Sequence, residues 1–323
     1  MKTFDVVALG ELLIDFTYSG LSRQGNILME ANPGGAPCNV LAMLTKLGRK
    51  TAFIGKVGND FFGRLLKDVV EQAGIDASNL FFDDDVHTTL AFVNKKPDGD
   101  RDFSFYRNPG ADMMLCAGEV SGDLISRCRI FHFGTLSMTH PDVRAATQRA
   151  VGLARSHGCV ISFDPNLRES IWDSPENARR QIDWGLEHCD VLKISDNEIL
   201  WFTGRDNFDE AVDKIIKDYN IRLVLLSKGP DGSTAWYNGM RVDAKAFLHK
   251  NTIETTGAGD TFCACMLNGI LEKGLENLSG EDLYTMLRFA NAAASLITTR
   301  KGALRVMPER KEIENLLFAR NSP

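Results

Sequence analysis

Short, mostly apolar runs alternate with longer amphipathic stretches along most of the chain. Val6–Leu9, Ala52–Ile54, Ile130–Phe133, Val160–Phe163, Val191–Ile194 and Leu223–Leu226 have strand length and lack the in–out alternation of a half-exposed strand, which marks strands buried on both faces. Between them the apolar positions fall at helical spacing. Asp60–Ala73 puts Phe62, Leu65, Leu66, Val69 and Ala73 on one face and stops at Gly74. Pro141, a favoured first helical residue, opens a second stretch that ends at Gly158, and a third runs from about Pro175 to Glu187. This alternation predicts a doubly wound, mostly parallel α/β sheet with helices on both faces, in one domain over residues 1–323.

Two stretches break the rhythm. Thr88–Val93 and Asp102–Tyr106 are short alternating runs around the turn Lys95–Asp100, a hairpin pattern. Leu12–Tyr18, followed by a polar loop to Met29, is expected to pair beside it. Residues from about 12–33 and 87–108 therefore predict a small β-sheet lid on the main sheet. Asp83-Asp84-Asp85 reads as a solvated turn rather than a metal site.

Of the 323 residues 44% are hydrophobic and 25% charged, enough to bury a sizeable core. The net charge of −6, without a basic block, argues against a partner held by nucleic-acid phosphates. An anionic ligand would need a local positive site instead. Asp5, Glu11 and Asp15 interrupt the apolar start, so neither a signal peptide nor a span of ~18 apolar residues is expected, and the chain reads as cytoplasmic. The seven cysteines are scattered; only Cys263 and Cys265 are close, and no second pair completes a zinc site. They read as reduced core residues.

The chemistry concentrates in Glu254-Thr255-Thr256-Gly257-Ala258-Gly259-Asp260-Thr261-Phe262, which leads into a helix through about Leu271. Small residues at Gly257, Ala258 and Gly259 let backbone N–H groups converge on an anion at a helix N-terminus, which suits the terminal phosphate of a nucleotide. Asp260 beside that phosphate could take a proton from an attacking hydroxyl. The same residues also allow a plain glycine-rich turn with Asp260 as an N-cap. A dinucleotide fingerprint fails, because its third glycine would fall on Phe262, and no P-loop is present. A second glycine site, Pro33-Gly34-Gly35-Ala36-Pro37-Cys38-Asn39, precedes an amphipathic helix stopped by Gly48. Gly34 and Gly35 permit close backbone approach, and Asn39 can both donate and accept. Asp15 follows the first buried strand, at the end where open α/β sheets bind ligands, and its carboxylate suits sugar hydroxyls.

The glycine pair with Asn39, together with Thr255–Asp260, resembles the two signatures of the ribokinase-like (PfkB) carbohydrate kinases. The resemblance extends through Gly10–Asp15, Lys56–Gly63, Asp164–Arg168 and Thr299–Ala303, nearly the whole chain. It implies a doubly wound sheet with a β lid over the sugar, ATP as donor and Mg2+ as counter-ion. By that likeness Gly257, Ala258 and Gly259 form the anion hole, Asp260 is the base, and Asp15, Gly34, Gly35 and Asn39 hold the sugar. Arg107 from the lid and Arg168 are expected to reach the sugar or the phosphates. Glu198 matches the acidic end of an N-x-x-E motif that orders magnesium through water, with Ser195 at the position of its asparagine. Ser227, Lys228 and Gly229, with Gly232 and Asn291, should border the nucleotide. Backbone near Glu254, Thr256 and Gly302 resembles loops that hold a monovalent cation such as K+. Ser195 and Glu254, where asparagine and aspartate are usual, and Cys265, where a smaller residue is usual, depart from the pattern.

Within the family, Phe105–Met113, Phe131–Ser137 and Lys193–Glu198 look like the corresponding stretches of fructokinases, which implies fructose phosphorylated on its 6-hydroxyl. A 2-keto-3-deoxygluconate kinase stands as an alternative because Arg107 and Arg168 could clamp a carboxylate; a ribokinase is another. A sensor without catalysis, or a nicotinamide-dependent dehydrogenase, would use the same fold. The expected partner is a small sugar, with neither nucleic acid nor membrane, and the resemblance allows a homodimer through the lid.

Overall fold

A computed structural model describes residues 2–95 and 101–319. Its strands are Phe4–Leu9 (β1), Leu13–Leu21 (β2), Ile27–Gly34 (β3), Thr51–Gly58 (β4), Asp76–Asp83 (β5), Leu90–Lys95 (β6) and Arg101–Tyr106 (β7). They continue with Cys128–Gly134 (β8), Val160–Asp164 (β9), Val191–Ser195 (β10), Leu223–Ser227 (β11), Ser233–Tyr237 (β12) and Met240–Ala244 (β13). The α-helices are Ala36–Lys46 (α1), Phe61–Gln72 (α2), Gly122–Ser126 (α3), Pro141–Ser156 (α4), Pro175–His188 (α5) and Asp196–Thr203 (α6). Four more follow: Phe208–Asp218 (α7), Ala258–Lys273 (α8), Gly280–Ile297 (α9) and Arg310–Ala319 (α10).

Nine strands form the main sheet in the order β13-β12-β11-β10-β9-β8-β1-β4-β5, parallel except for the antiparallel edge from β11 through β13. All six buried strands expected from the apolar runs are present within it. Alternate residues of β1 serve opposite faces, as strand geometry requires. Val6 and Ala8 pack with α1, α8 and α9 residues such as Leu44, Met266 and Leu287. Val7 and Leu9 belong to the opposite buried cluster, which also takes in Val151 of α4, Ile182 of α5 and Ile215 of α7. Each such fully buried Leu or Ile side chain contributes about 1.5–3 kcal/mol. The strand order reverses at β1 and β8, and that reversal opens a crevice beyond the carboxyl ends of the strands.

The lid is a separate sheet in the order β3-β2-β6-β7, with β2 and β6 parallel and β6 and β7 antiparallel. Phe16 stacks on Phe92 at 5.0 Å and meets Phe62 of α2 edge-on at 5.7 Å, which roots the lid in the body. The polar loop expected to reach Met29 is corrected to Ser22–Asn26, because β3 already starts at Ile27 and pairs with β2. Residues 96–100 of the expected hairpin turn lie outside the described residues. Asp83 closes the aspartate turn by accepting from the Asp85 and Val86 N–H groups.

Candidate active site

Residues at the carboxyl ends of β1, β9, β10 and β11 meet the start of α8 and the inner face of the lid. The cleft between them holds about 830 Å³ and is lined by Glu11, Asp15, Asn39, Arg168, Lys193 and Asp260 among others. An adjoining, more apolar pocket of about 310 Å³ runs past Gly229, Gly232, Phe247, Leu248, Phe262 and Asn291. Ser227, Gly229, Ala258 and Gly259 border both spaces.

The start of α8 explains the glycines. Gly257 is the N-cap in the left-handed region, φ 75°, and a Cβ there would stand 2.8 Å from the Ala303 Cβ. Asp260 therefore falls at the third helical position and is not the N-cap. Ala258 donates its N–H to the Thr255 carbonyl at 3.2 Å. Asp260 faces the cleft, half-buried, and its carboxylate accepts from Asn39 Nδ2 at 2.8 Å. Burial raises its pKa; the Asn39 hydrogen bond and the charges of Lys193 and Arg168 oppose that rise. Asn39 Oδ1 is buried without a hydrogen-bond partner, an acceptor left for a hydroxyl.

Beneath the glycine turn lies a cation that the sequence reading did not single out. Lys193 pairs with Asp164 at 2.9 Å, both buried, and its Nζ is 3.2 Å from where a Gly259 Cβ would stand. Although burial favours loss of its proton, Asp164 and Glu198 hold Lys193 above its ordinary pKa. Burial raises Asp164 to about 6, against the pull of Lys193. His132, bonded through Nδ1 to Ser162 Oγ at 3.0 Å, is pushed down to about 3 by burial and Lys193, and stays neutral. Glu198 Oε2 accepts from the Ser195 N–H and Oγ at 2.8 and 2.7 Å, and Oε1 accepts from the Leu167 N–H at 2.6 Å. Burial would raise its pKa, but Lys193 and those donors prevail and lower it.

Gly35 has φ 125°, and a Cβ would stand 2.3 Å from the Glu11 carbonyl oxygen. Gly34 faces Asp15, whose Oδ2 lies 2.5 Å from where its Cβ would be. Gly35 thus requires glycine for fit, whereas the atom facing Gly34 is the end of a side chain that can turn aside. Glu11, also overlooked in the sequence, accepts the Ala36 N–H at the start of α1.

Two expectations are corrected by geometry, those for Arg107 and Lys228. Arg107 does not line the cleft: buried, it donates to Asp112 Oδ2 from Nε and Nη2, to Thr139 Oγ1 and to the Leu136 carbonyl. Lys228 turns to Asp243 at 3.5 Å, away from the apolar pocket. Asn291 borders that pocket, but its side chain accepts from Ser233 and donates to the Ala244 and Lys245 carbonyls, so it shapes the wall. Glu254 Oε1 accepts the Gly302 N–H at 2.8 Å and ties those two loops together. They bound a cavity of about 10 Å³ with Thr256, Asp15 and Asn32.

The sequence matches the profile described as pfkB family carbohydrate kinase over residues 3–310. It is 38% identical over 314 residues to fructokinase-2 of Solanum lycopersicum, covering 97% of this chain and 95% of that protein. Its fold is similar to the crystal structure of an ATP-bound fructokinase from Xylella fastidiosa, with TM-score 0.90, 28% identity and all of both chains covered. A double mutant of the fructokinase from Vibrio cholerae O395, in a fructose-, ADP- and potassium-bound form, is similar at TM-score 0.87 and 27% identity, covering 98% of this chain and 99% of that one.

Proposed function

Because this chain belongs to the pfkB family of carbohydrate kinases, we propose that it transfers the γ-phosphoryl group of ATP to D-fructose, giving fructose 6-phosphate and ADP. The single observation that carries the mechanism is the Asp260 carboxylate, held by Asn39 at the mouth of the glycine turn and above the Lys193–Asp164 pair. Fructose lies between Asp15, Asn39 Oδ1 and Arg168, and the nucleotide base occupies the apolar pocket beside Phe247 and Phe262. Asp260 takes the proton of the attacking hydroxyl as its oxygen bonds to the γ-phosphorus and the bond to the β-phosphate oxygen breaks. First-turn N–H groups of α8 and the buried Lys193 stabilise the charge on the transferred group.

Among the described residues no cluster of three or more His, Cys, Asp or Glu side chains could cage a metal. That fits a Mg2+ ion bound to the nucleotide phosphates with most of its waters kept. Glu198 would hold one of those waters, and the ion would neutralise phosphate charge. The cavity between Glu254, Thr256 and Gly302, the size of one water, would take a monovalent cation on backbone oxygens; turnover in K+ against Na+ tests this.

The withdrawal of Arg107 from the cleft favours fructose over 2-keto-3-deoxygluconate, since only Arg168 is left of the two guanidiniums a sugar-acid clamp would use. With Asp260 and the glycines in place, the sensor reading loses its ground. No described helix is long and apolar enough to cross a membrane, and an ATP donor agrees with a cytoplasmic location. The lid exposes Tyr18, Leu21, Ile27 and Tyr106, which favours a homodimer through that face. Leu21→Lys with Ile27→Lys should then halve the mass seen by light scattering; an unchanged mass overturns the dimer.

The test of function is ADP release from ATP and Mg2+ with fructose, ribose, 2-keto-3-deoxygluconate, adenosine and fructose 6-phosphate. Fructose should turn over fastest, and Asp260→Asn should lower its kcat by at least ~10²-fold while fructose still binds. Near-normal turnover in Asp260→Asn would remove the base, and preference for the sugar acid would replace the acceptor.

A further inference from the structure

At the end of the main sheet opposite the cleft, two cysteines from neighbouring strands meet. Cys128 opens β8 and Cys159 immediately precedes β9. Their sulfurs are 3.4 Å apart, with the Cys128 thiol donating to the Cys159 sulfur. The Lys2 ammonium bonds the same Cys159 sulfur at 3.3 Å and is anchored by the His157 carbonyl at 2.9 Å. Two carbonyls, of Cys128 at 3.2 Å and Ile125 at 3.6 Å, also lie near it as acceptors for its thiol form. Of the other described cysteines, Cys116 is exposed, while Cys38, Cys189, Cys263 and Cys265 are buried and none of them is bonded to a second sulfur in this arrangement.

We propose that Cys128 and Cys159 are a peroxide-reactive dithiol that closes to a reversible disulfide, with Cys159 as the attacking sulfur and Cys128 as the resolving one. Two features of the geometry assign those roles and a third permits closure. Cys159 carries the cation and receives the hydrogen bond, the arrangement that favours a thiolate. Cys159 keeps a residual 6% exposure, whereas Cys128 is fully buried, so Cys159 is the nearer of the two to solvent. The sulfurs need to approach by only about 1.4 Å to reach bonding distance. The Cys128 hydrogen bond, against burial and with help from Lys2, lowers the Cys159 pKa, and the reciprocal bond raises that of Cys128.

In the first step the Cys159 thiolate attacks one peroxide oxygen, the O–O bond breaks and, with one proton, water leaves; Cys159 becomes a sulfenic acid. The Cys128 thiol then attacks that sulfur, giving up its proton to the departing hydroxide as the S–O bond breaks, so that a second water leaves. Two electrons pass from the sulfur pair to the peroxide. A dithiol reductant reverses the change.

The full-length protein is treated with hydrogen peroxide near stoichiometry and mapped without reduction. A Cys128–Cys159 cross-linked peptide, lost on dithiothreitol, is expected, and Cys128→Ser should instead accumulate a Cys159 sulfenic acid trapped by dimedone. Lys2→Gln changes an exposed side chain and spares the core; it should slow cross-linking roughly 3- to 10-fold by lowering the thiolate fraction. Oxidation of Cys116 with no Cys128–Cys159 link, or an unchanged rate in Lys2→Gln, overturns the assignment.

Discussion

Glu11 joins the wall of the cleft to the start of α1, and burial pushes its carboxyl from an ordinary 4.5 to about 7. Between those values the folded protein keeps a proton that the unfolded chain has released. Stability from this group is therefore present below about pH 4.5 and lost as pH rises through about 7. The full loss is about 3 kcal/mol at 1.36 kcal/mol per unit. Glu11→Gln keeps an acceptor for the Ala36 N–H without the charge. Thermal unfolding should show the variant gaining on the parent between pH 5 and 8; a constant gap would refute the shift. Lys193 gives a second case. Lys193→Met leaves Asp164 and Glu198 uncompensated and should cost about 3 kcal/mol in urea unfolding. Adding Asp164→Asn should restore much of that stability while kcat stays low, because the cation under Gly259 is still missing. Joint recovery of both would make Lys193 purely structural. Asp260 and its glycines were legible because the chemistry sits in one contiguous loop. Lys193, Asp164 and Glu11 were not: an isolated lysine in an apolar strand acquires meaning only from a partner on the next strand. Arg107 was misassigned because Asp112, five residues on, folds back to take its guanidinium.

At the level of elements, the glycine turn that enters α1 is set by sterics. Gly35→Ala would combine a left-handed φ with a Cβ 2.3 Å from the Glu11 carbonyl oxygen. Backbone strain of about 1–3 kcal/mol adds to the clash, so the urea midpoint should fall clearly, with an unchanged m-value. A midpoint within error of the parent would mean that the turn relaxes freely. The buried parallel strands showed in the sequence because both faces need apolar side chains. The edge strands did not: β5, DASNLFFD, is half polar, since one edge faces solvent. The β12–β13 hairpin carried a readable signal that was passed over, Asn238-Gly239, where both residues take positive φ, 47° and 76°. The first lid hairpin was half seen, because the polar loop between β2 and β3 hides that Ile27 already resumes pairing.

For the whole molecule, the proposed function depends on two sheets of unequal burial. The central strands β1, β8 and β9 are buried on both faces, whereas the lid presents Tyr18, Leu21, Ile27 and Tyr106 to solvent and is rooted in the body by Ile14 and Phe16. Segments with few buried contacts open at low free energy. Substrates seated between Asp15 on β2 and Asp260 on α8 would bridge lid and body, excluding water that could otherwise attack the γ-phosphate. Hydrogen exchange followed by mass spectrometry should therefore show slower exchange across β2, β3 and β6 when fructose and a non-hydrolysable ATP analogue are both present. Fructose alone should give part of the effect, because its proposed seat lies between Asp15 and Asn39. β1, β8 and β9 should stay unchanged, already protected by the core. Equal protection everywhere would indicate general stabilisation by ligand binding, and no protection in β2 would place the sugar away from the lid and undo the assignment of Asp15.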